Sequence, residues 1–403
     1  MFYAMALTIA LPMLILTIVL GLANRTVRRS VAASPNGGNA PSSLRRSDLE
    51  PNLWPYTTLI IPLTGDDHSI LPAIRSLLNQ DHPNHNVLLV TQDKNDPATA
   101  TARILVMGVH HARHILAGLA TGNGQKNYNL LAGVAATQPT NQVLAFCDAS
   151  HLAATDFLRR LTAPLAGHDP IALAEVATGY HRIRPLDQKV GTLGMLATVL
   201  SIHCLQCLPL FAQPWGGAMA ITRSAFERLN VARLWANTVV DDCSLAALLK
   251  AHQVYCRFIP EACLTTNLAA VSLHTWWAWL VRQFLYLKYC FPLLWMTAAP
   301  IALMLALPPL AALGSIIAVA CGWASPSWAI VGLLILAGLT GLANWFRQLL
   351  PKPSPLIIFT MILACTMFFV AGAYLRTWIT NRLTWRHATY RVTWGARVIE
   401  TLR

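Results

Sequence analysis

Charge is scarce in this chain. Asp, Glu, Lys and Arg together make up 12% of its 403 residues, against 55% hydrophobic residues, and the mean hydropathy is +0.47. So little charge excludes a wholly soluble protein of this size, and part of the chain must lie in lipid. Acids are the scarcer sign, 17 against 30 Lys and Arg, for a net charge of +13. That excess would suit nucleic acid, but many of the arginines flank apolar runs, so the expected partner is an anionic bilayer surface and no nucleic acid. Cys204 and Cys207 have no second cysteine pair at zinc-site spacing, which argues against a structural zinc or a disulfide scaffold. The other cysteines read as small buried apolar residues.

The apolar residues are concentrated in long runs. Residues 2–23 are uncharged and long enough to span a hydrocarbon core. No basic residue precedes the run, which separates it from a cleaved signal peptide. Arg25, Arg28 and Arg29 follow at once, with Arg45 and Arg46 farther on, and the positive-inside rule puts the downstream chain in the cytoplasm. The chain therefore divides into a transmembrane anchor (1–24), a basic flexible linker (25–54), a cytoplasmic catalytic domain (55–270), an interfacial amphipathic helix (271–290), transmembrane helices (291–380) and a basic interfacial tail (381–403).

Within 291–380 the spans fall near 291–320, 328–345 and 356–379. Pro300, Pro308 and Pro309 predict a kinked span or a re-entrant piece in the first. Arg347 and Lys352 place the second loop on the same side as the basic tail, which one crossing cannot satisfy; an extra break within 291–320 would reconcile them. Trp378, Trp385 and Trp394 beside arginines suit an interface with anionic lipid.

Between the apolar regions, β-rich runs at 57–61, 87–90 and 143–146 alternate with helical spacing at 70–79 and 98–107. Alternation of this kind predicts an α/β fold with a mainly parallel sheet. Asp93 and Asp148 follow two of the strands, at the carboxyl edge where open α/β sheets bind ligands. Asp241 and Asp242 come later, before a helical stretch that either of them could cap. Trp215, Gly216 and Gly217 form a Gly-rich turn that would let a backbone approach a bound sugar closely. His181 and Arg182 read equally as phosphate contacts or as a surface pair.

Taken together, Pro62 to Asp67, Arg75 to Pro83, Asp93 with Asp96 to Ala98, Lys126 to Leu130, Asp148 to Ser150 and Val240 to Asp242 resemble the ceramide glucosyltransferase-like branch of the inverting family 2 glycosyltransferases. That branch includes the bacterial hopanoid-biosynthesis glycosyltransferases. The resemblance covers most of residues 1–290. It implies a nucleotide-diphospho-sugar transferase domain of the GT-A type, with one N-terminal and several C-terminal transmembrane helices.

By position, the resemblance makes Asp93, Lys126, Asn129 and Asp148 donor-binding residues, with Asp148 holding Mg2+ or Mn2+ on the diphosphate. It makes Asp242, with Asp241 beside it, the general base. The implied reaction moves one sugar, glucose or N-acetylglucosamine, from a UDP-sugar donor to a membrane lipid hydroxyl of ceramide or hopanoid type, at a bacterial inner membrane. A hard cation on carboxylate oxygen suits a leaving diphosphate, and an aspartate can take the acceptor's proton.

One family signature is altered. Where the pattern has Arg-Trp, this chain has Leu285 and Tyr286 after Arg282 and Gln283. Arg282 and Tyr286 remain candidates for the acceptor pocket together with Trp215 to Gly217, and Lys288 is a candidate charge. The alternative for the same residues is an amphipathic helix with Trp276, Trp277, Trp279 and Tyr286 as belt residues. The altered motif keeps open a degenerate nucleotide-sugar-binding protein; a polysaccharide synthase of the same superfamily, which would keep Arg-Trp and carry more spans, is less favoured.

Overall fold

A computed structural model describes residues 2–33, 54–166, 174–350, 353–385 and 388–402, without side-chain detail for 2–10, 68 and 385. Most of the expected linker, Arg45, Arg46, Lys352 and the side chain of Trp385 lie outside the described residues. The chain divides into two compact units. One comprises Thr26–Arg182, Gln206–Thr266 and Arg382–Arg403, and the other Met1–Arg25, Ile183–Leu205 and Asn267–Asn381.

In chain order the elements through residue 268 are α1 (Phe2–Ala32), β1 (Thr57–Pro62), α2 (Leu71–Leu78), β2 (His85–Thr91), α3 (Pro97–Val106), β3 (Ala112–Leu116), α4 (Gln125–Ala135), β4 (Val143–Cys147), α5 (Phe157–Thr162), β5 (Val176–Pro185), α6 (Val190–Gln206), β6 (Ala218–Thr222), α7 (Arg223–Arg228), α8 (Val231–Trp235), α9 (Asp242–Ala251) and β7 (Cys256–Leu268). The helix α1 runs through Arg25, Arg28 and Arg29, so the first eight residues of the expected linker are helical instead.

The first unit is built on a seven-stranded sheet in the order β3-β2-β1-β4-β6-β5-β7. The half from β3 to β4 is parallel, as strands separated by helices require. Beyond it, β6 runs antiparallel to both β4 and β5, so the sheet is mixed where a mainly parallel one was expected. Alternate residues of the strands feed two core layers. Leu59, Ile61, Val87 and Leu89 pack with Ile74 of α2, Ala102 of α3 and Leu158 of α5. Ile60, Leu88, Val90, Leu144 and Phe146 pack with Leu130 of α4, Trp235 of α8 and Leu245 of α9.

The expected interfacial tail belongs to this unit. It forms a three-stranded antiparallel meander, β8 (Arg382–Trp385), β9 (Ala388–Thr393) and β10 (Arg397–Leu402). Leu383, Tyr390, Val392 and Ala396 are buried, which gives the segment a folded core that its arginine content hid.

The second unit adds α10 (Leu273–Cys290), α11 (Pro292–Thr297), α12 (Ala299–Met304), α13 (Leu307–Ala320), α14 (Ser327–Arg347) and α15 (Leu356–Arg376). Four helical stretches, Leu11–Ala32, Pro292–Ala320, Ser327–Arg347 and Leu356–Arg376, are long and apolar enough to cross a membrane. The expected first C-terminal span is broken into α11, α12 and α13. Pro292, Pro300 and Pro308 sit in the first turns of these helices, where the missing N–H leaves no intrahelical bond unmade.

The helix α6, placed by sequence in the catalytic domain, belongs to this unit. Its Gly194 leaves room for the Trp276 indole, whose Nε1 donates to Thr198 Oγ1 at 3.2 Å. Trp276 also stacks on Phe369 at 4.1 Å and is fully buried, a core residue and not a belt residue.

Candidate active site

Lys126 is the hub of the site. It lies in the first turn of α4, and its Nζ is 2.8 Å from Asp148 Oδ1 and 2.8 Å from Asp241 Oδ2. It also donates to the carbonyl of Gly216 at 3.5 Å. Burial works against its charge, but Asp148, Asp241 and Asp242 outweigh burial and raise the pKa well above the ordinary value. Lys126 is therefore a fixed cation at any working pH.

The partners come from three further loops. Asp148 follows β4 directly and is the most open of the three acids, with its side chain 36% exposed. Asp241 is 5% exposed and occupies the N-cap position of α9 without a side-chain cap bond, because its carboxylate is turned to Lys126. Its carbonyl accepts from Trp235 Nε1 at 3.0 Å.

Asp242 is the first residue of α9. Its Oδ2 accepts from Gly216 N at 3.0 Å and its Oδ1 from Cys243 N at 2.6 Å. Burial first, and repulsion from Asp241 second, push its pKa from 3.8 up to about 6, against the pull of Lys126 and the two amide donors. A carboxylate so poised is ionised at neutral pH and ready to take a proton. Gly216 closes the arrangement. A Cβ there would stand 2.7 Å from Lys126 Nζ and nearer still to Asp241 Oδ2, so any larger residue would displace the pair.

The remaining expected residues divide. Asp93 follows β2 on the same carboxyl edge as Asp148. One strand, β1, separates β2 from β4, so the two strand axes lie about 10 Å apart. The Asp93 carboxylate accepts from Gln92 Nε2 at 2.8 Å, Asn95 N at 2.7 Å and Asp96 N at 3.2 Å, and these bonds hold its pKa below the usual value.

Asn129 is 2% exposed, and its Oδ1 accepts from Gln125 Nε2 at 2.8 Å. Gln125 in turn bonds Ala120 N and Gly118 O, so Asn129 is tied to the loop at 118–120 through Gln125. Arg282 and Tyr286 are half-buried on α10 of the second unit. Lys288 donates to the carbonyls of Thr377 at 2.5 Å and Thr380 at 3.4 Å, which uses the charge considered for phosphate.

Trp215 begins the glycine turn inside an aromatic cluster that the sequence did not reveal. His181 stacks on it at 4.5 Å, while His151 and Tyr180 lie 5.0 and 4.9 Å away. Both histidines meet one hydroxyl, Thr266 Oγ1, through Nδ1, at 2.8 Å for His151 and 2.5 Å for His181. Burial pushes the His151 pKa down to about 4, so its ring is neutral. His181 and Arg182 are both buried, not a surface pair. Arg182 reaches Thr265 Oγ1 and the carbonyl of Val31 near the end of α1, both at 3.4 Å, a favourable place for a cation at a helix C-terminus. The sole clue to His151 was its position three residues after Asp148.

A mixed sheet with acids at the carboxyl edge of its parallel strands, in a chain with an N-terminal and several C-terminal apolar helices, defines a GT-A type glycosyltransferase. The model of glycosyl transferase family 21 matches residues 13–398, and the chain belongs to that family and is a glycosyltransferase. Among solved structures, mannosyltransferase PcManGT from Pyrobaculum calidifontis, in complex with GDP-Man and Mn2+, is similar with a TM-score of 0.55 at 17% identity, covering 93% of this chain and 99% of that one. Glucosyl-3-phosphoglycerate synthase from Mycobacterium tuberculosis, with Mn2+ and UDP-glucose, aligns at a TM-score of 0.36 and 15% identity over 60% of this chain and 80% of that one. No curated protein matches the chain.

Proposed function

We propose that this protein is an inverting membrane glycosyltransferase that moves one sugar, glucose or N-acetylglucosamine, from a UDP-sugar to a lipid hydroxyl of ceramide or hopanoid type. In this proposal the catalytic unit is cytoplasmic, at a bacterial inner membrane. The observation that carries it is the Lys126 hub, which joins the acid after β4 to the acid pair at α9.

Asp242, with its raised pKa and two amide donors, is the base that takes the acceptor proton. Asp241 holds Lys126 and keeps Asp242 basic by repulsion. Lys126 and Asp93 bind the donor, Lys126 through its phosphates. Trp215, backed by His181, offers a ring face to a sugar beside the Gly216–Gly217 backbone.

Among the described residues no three His, Cys, Asp or Glu side chains gather into a metal cage. The open carboxylate of Asp148 is one hard oxygen ligand, which fits Mg2+ or Mn2+ taking its other oxygens from a diphosphate and water. Such an ion would neutralise charge developing on the leaving nucleotide. The nucleotide sugar and manganese bound by PcManGT agree with this reading.

The test is transfer from labelled UDP-glucose, UDP-N-acetylglucosamine and GDP-mannose to ceramide and hopanoid acceptors, with Mg2+ or Mn2+. Asp242→Asn should abolish transfer without weakening UDP binding, since the base acts on the acceptor. Unchanged transfer in that variant would remove Asp242 from its role.

A further inference from the structure

The acids and the lysine of the site sit on loops or in the first helical turn that follows them, and such segments hold a sub-ångström arrangement only when something braces them. Two segments matter most, 123–127 leading into Lys126 and 237–242 ending in the acid pair. They are tied to each other: Thr238 O accepts from Gly124 N at 3.0 Å and from Asn127 Nδ2 at 2.9 Å. Asn123 Nδ2 donates to Trp235 O at 2.9 Å. A Cβ on Gly124 would meet Val239 O at 2.7 Å, so the two backbones touch.

Both segments are also tied to the C-terminal meander. Val239 N donates to Ala396 O at 3.1 Å, and Val398 N donates to Asn237 O at 3.3 Å, around an antiparallel bridge between Thr238 and Arg397. Gln125 N, at the start of α4, donates to Tyr390 Oη at 3.3 Å. Tyr390 is 2% exposed and Ala396 is fully buried, so the bonds these two residues make are shielded from water.

We infer that the meander, through Tyr390 and the β9–β10 turn at Ala396, is a positioning element that sets the spacing of Lys126 and Asp241–Asp242 from the far end of the chain. This inference rests on the function proposed above for that site. The geometry explains why a segment after the last apolar helix returns to the sheet unit. It adds a strand edge to residues 237–239, three to five positions before Asp242, and a hydroxyl to the residue before Lys126. Ala396 has φ +55, in the left-handed region, which fixes the turn at the point where its carbonyl meets Val239.

The test uses the full-length protein with Tyr390→Phe, Ala396→Val and Ala396→Gly. Tyr390→Phe keeps the ring and removes the hydroxyl, so the fold is retained and the melting temperature falls by only a few degrees. Amide exchange in 123–127 should rise about fivefold for the loss of one shielded hydrogen bond, and turnover should fall several-fold per folded molecule. Ala396→Val strains a left-handed position and should speed exchange in 237–242 and shift the acid limb of the rate profile. Ala396→Gly, at home with positive φ, should keep parent values.

Parent exchange rates in both segments of folded Tyr390→Phe and Ala396→Val would overturn the inference, as would turnover that falls only in proportion to lost folded protein. Exchange is read without substrate, so it decides the brace even if the parent transfers no sugar to any acceptor.

Discussion

The charges around Asp242 make a prediction with opposite signs for two substitutions. The rise of its pKa from 3.8 to about 6 corresponds to about 3 kcal/mol against ionisation. Burial is the larger cause and Asp241 the second, so Asp241→Asn should move the acid limb of kcat/KM below about 6. Lys126 pulls the other way. Its Nζ reaches Gly216 O while Asp242 binds Gly216 N, and its positive charge lowers the Asp242 pKa.

Lys126→Met should therefore move the acid limb above 6, and below its midpoint the rate should fall tenfold per pH unit. The same variant leaves buried Asp241 without its cation and should cost about 3 to 5 kcal/mol of stability, so rates must be taken per folded molecule. The assay is initial transfer at subsaturating donor from pH 4.5 to 9. Midpoints that stay at the parent value, or that move in one direction for both variants, would refute the charge arrangement.

Gly216→Ala forces a Cβ into the Lys126–Asp241 pair and should lower kcat/KM by at least ~10-fold with little change in secondary structure; parent kinetics would show that the pair tolerates displacement. His82 is buried beside Trp54, and burial first, then His85 and Arg159, lower its pKa to about 3. Its contribution to stability is present above the unfolded value of 6.5 and is lost as pH falls toward 3, about 2 kcal/mol by pH 5, so His82→Gln should flatten the unfolding profile between pH 6.5 and 4. An unaltered slope would assign that acid sensitivity elsewhere. Chelation of divalent cations should stop transfer, with Mg2+ or Mn2+ restoring it; transfer that persists in excess EDTA would remove the ion from Asp148.

Three of the four parallel strands, β1, β2 and β4, were legible because they are short, nearly continuous apolar runs, two of them followed by Asp93 or Asp148, with helical spacing between; β3, which carries Arg113 and His114, was not. The strands β5, β6 and β7 carried no such mark. β5 mixes Thr178, His181 and Arg182 with its apolar residues, and their burial rests on partners as distant as Val31 and Thr266. The meander was misread for a related reason: local composition counts its arginines, while the burial of Tyr390 and Ala396 depends on segments more than 150 residues earlier. Lys126 and the Asp241–Asp242 pair could be named from their resemblance to a pattern. That Asp241 holds the lysine while Asp242 bonds Gly216 is a matter of geometry no spacing encodes.

The same geometry bears on why an ion would be needed. One lysine faces three aspartates, so with Asp242 ionised the cluster carries two net negative charges in a partly buried place. A diphosphate entering such a site alone meets repulsion that one shared lysine cannot offset. On the function proposed above, a divalent cation on Asp148 would cancel that excess and relieve Lys126 of one of its two acidic partners. Protonation of Asp242 below about pH 6 relieves half of the same excess. The condition that disables the base therefore eases entry of an anionic donor, and nucleotide binding and turnover should part company on the acid side of that midpoint.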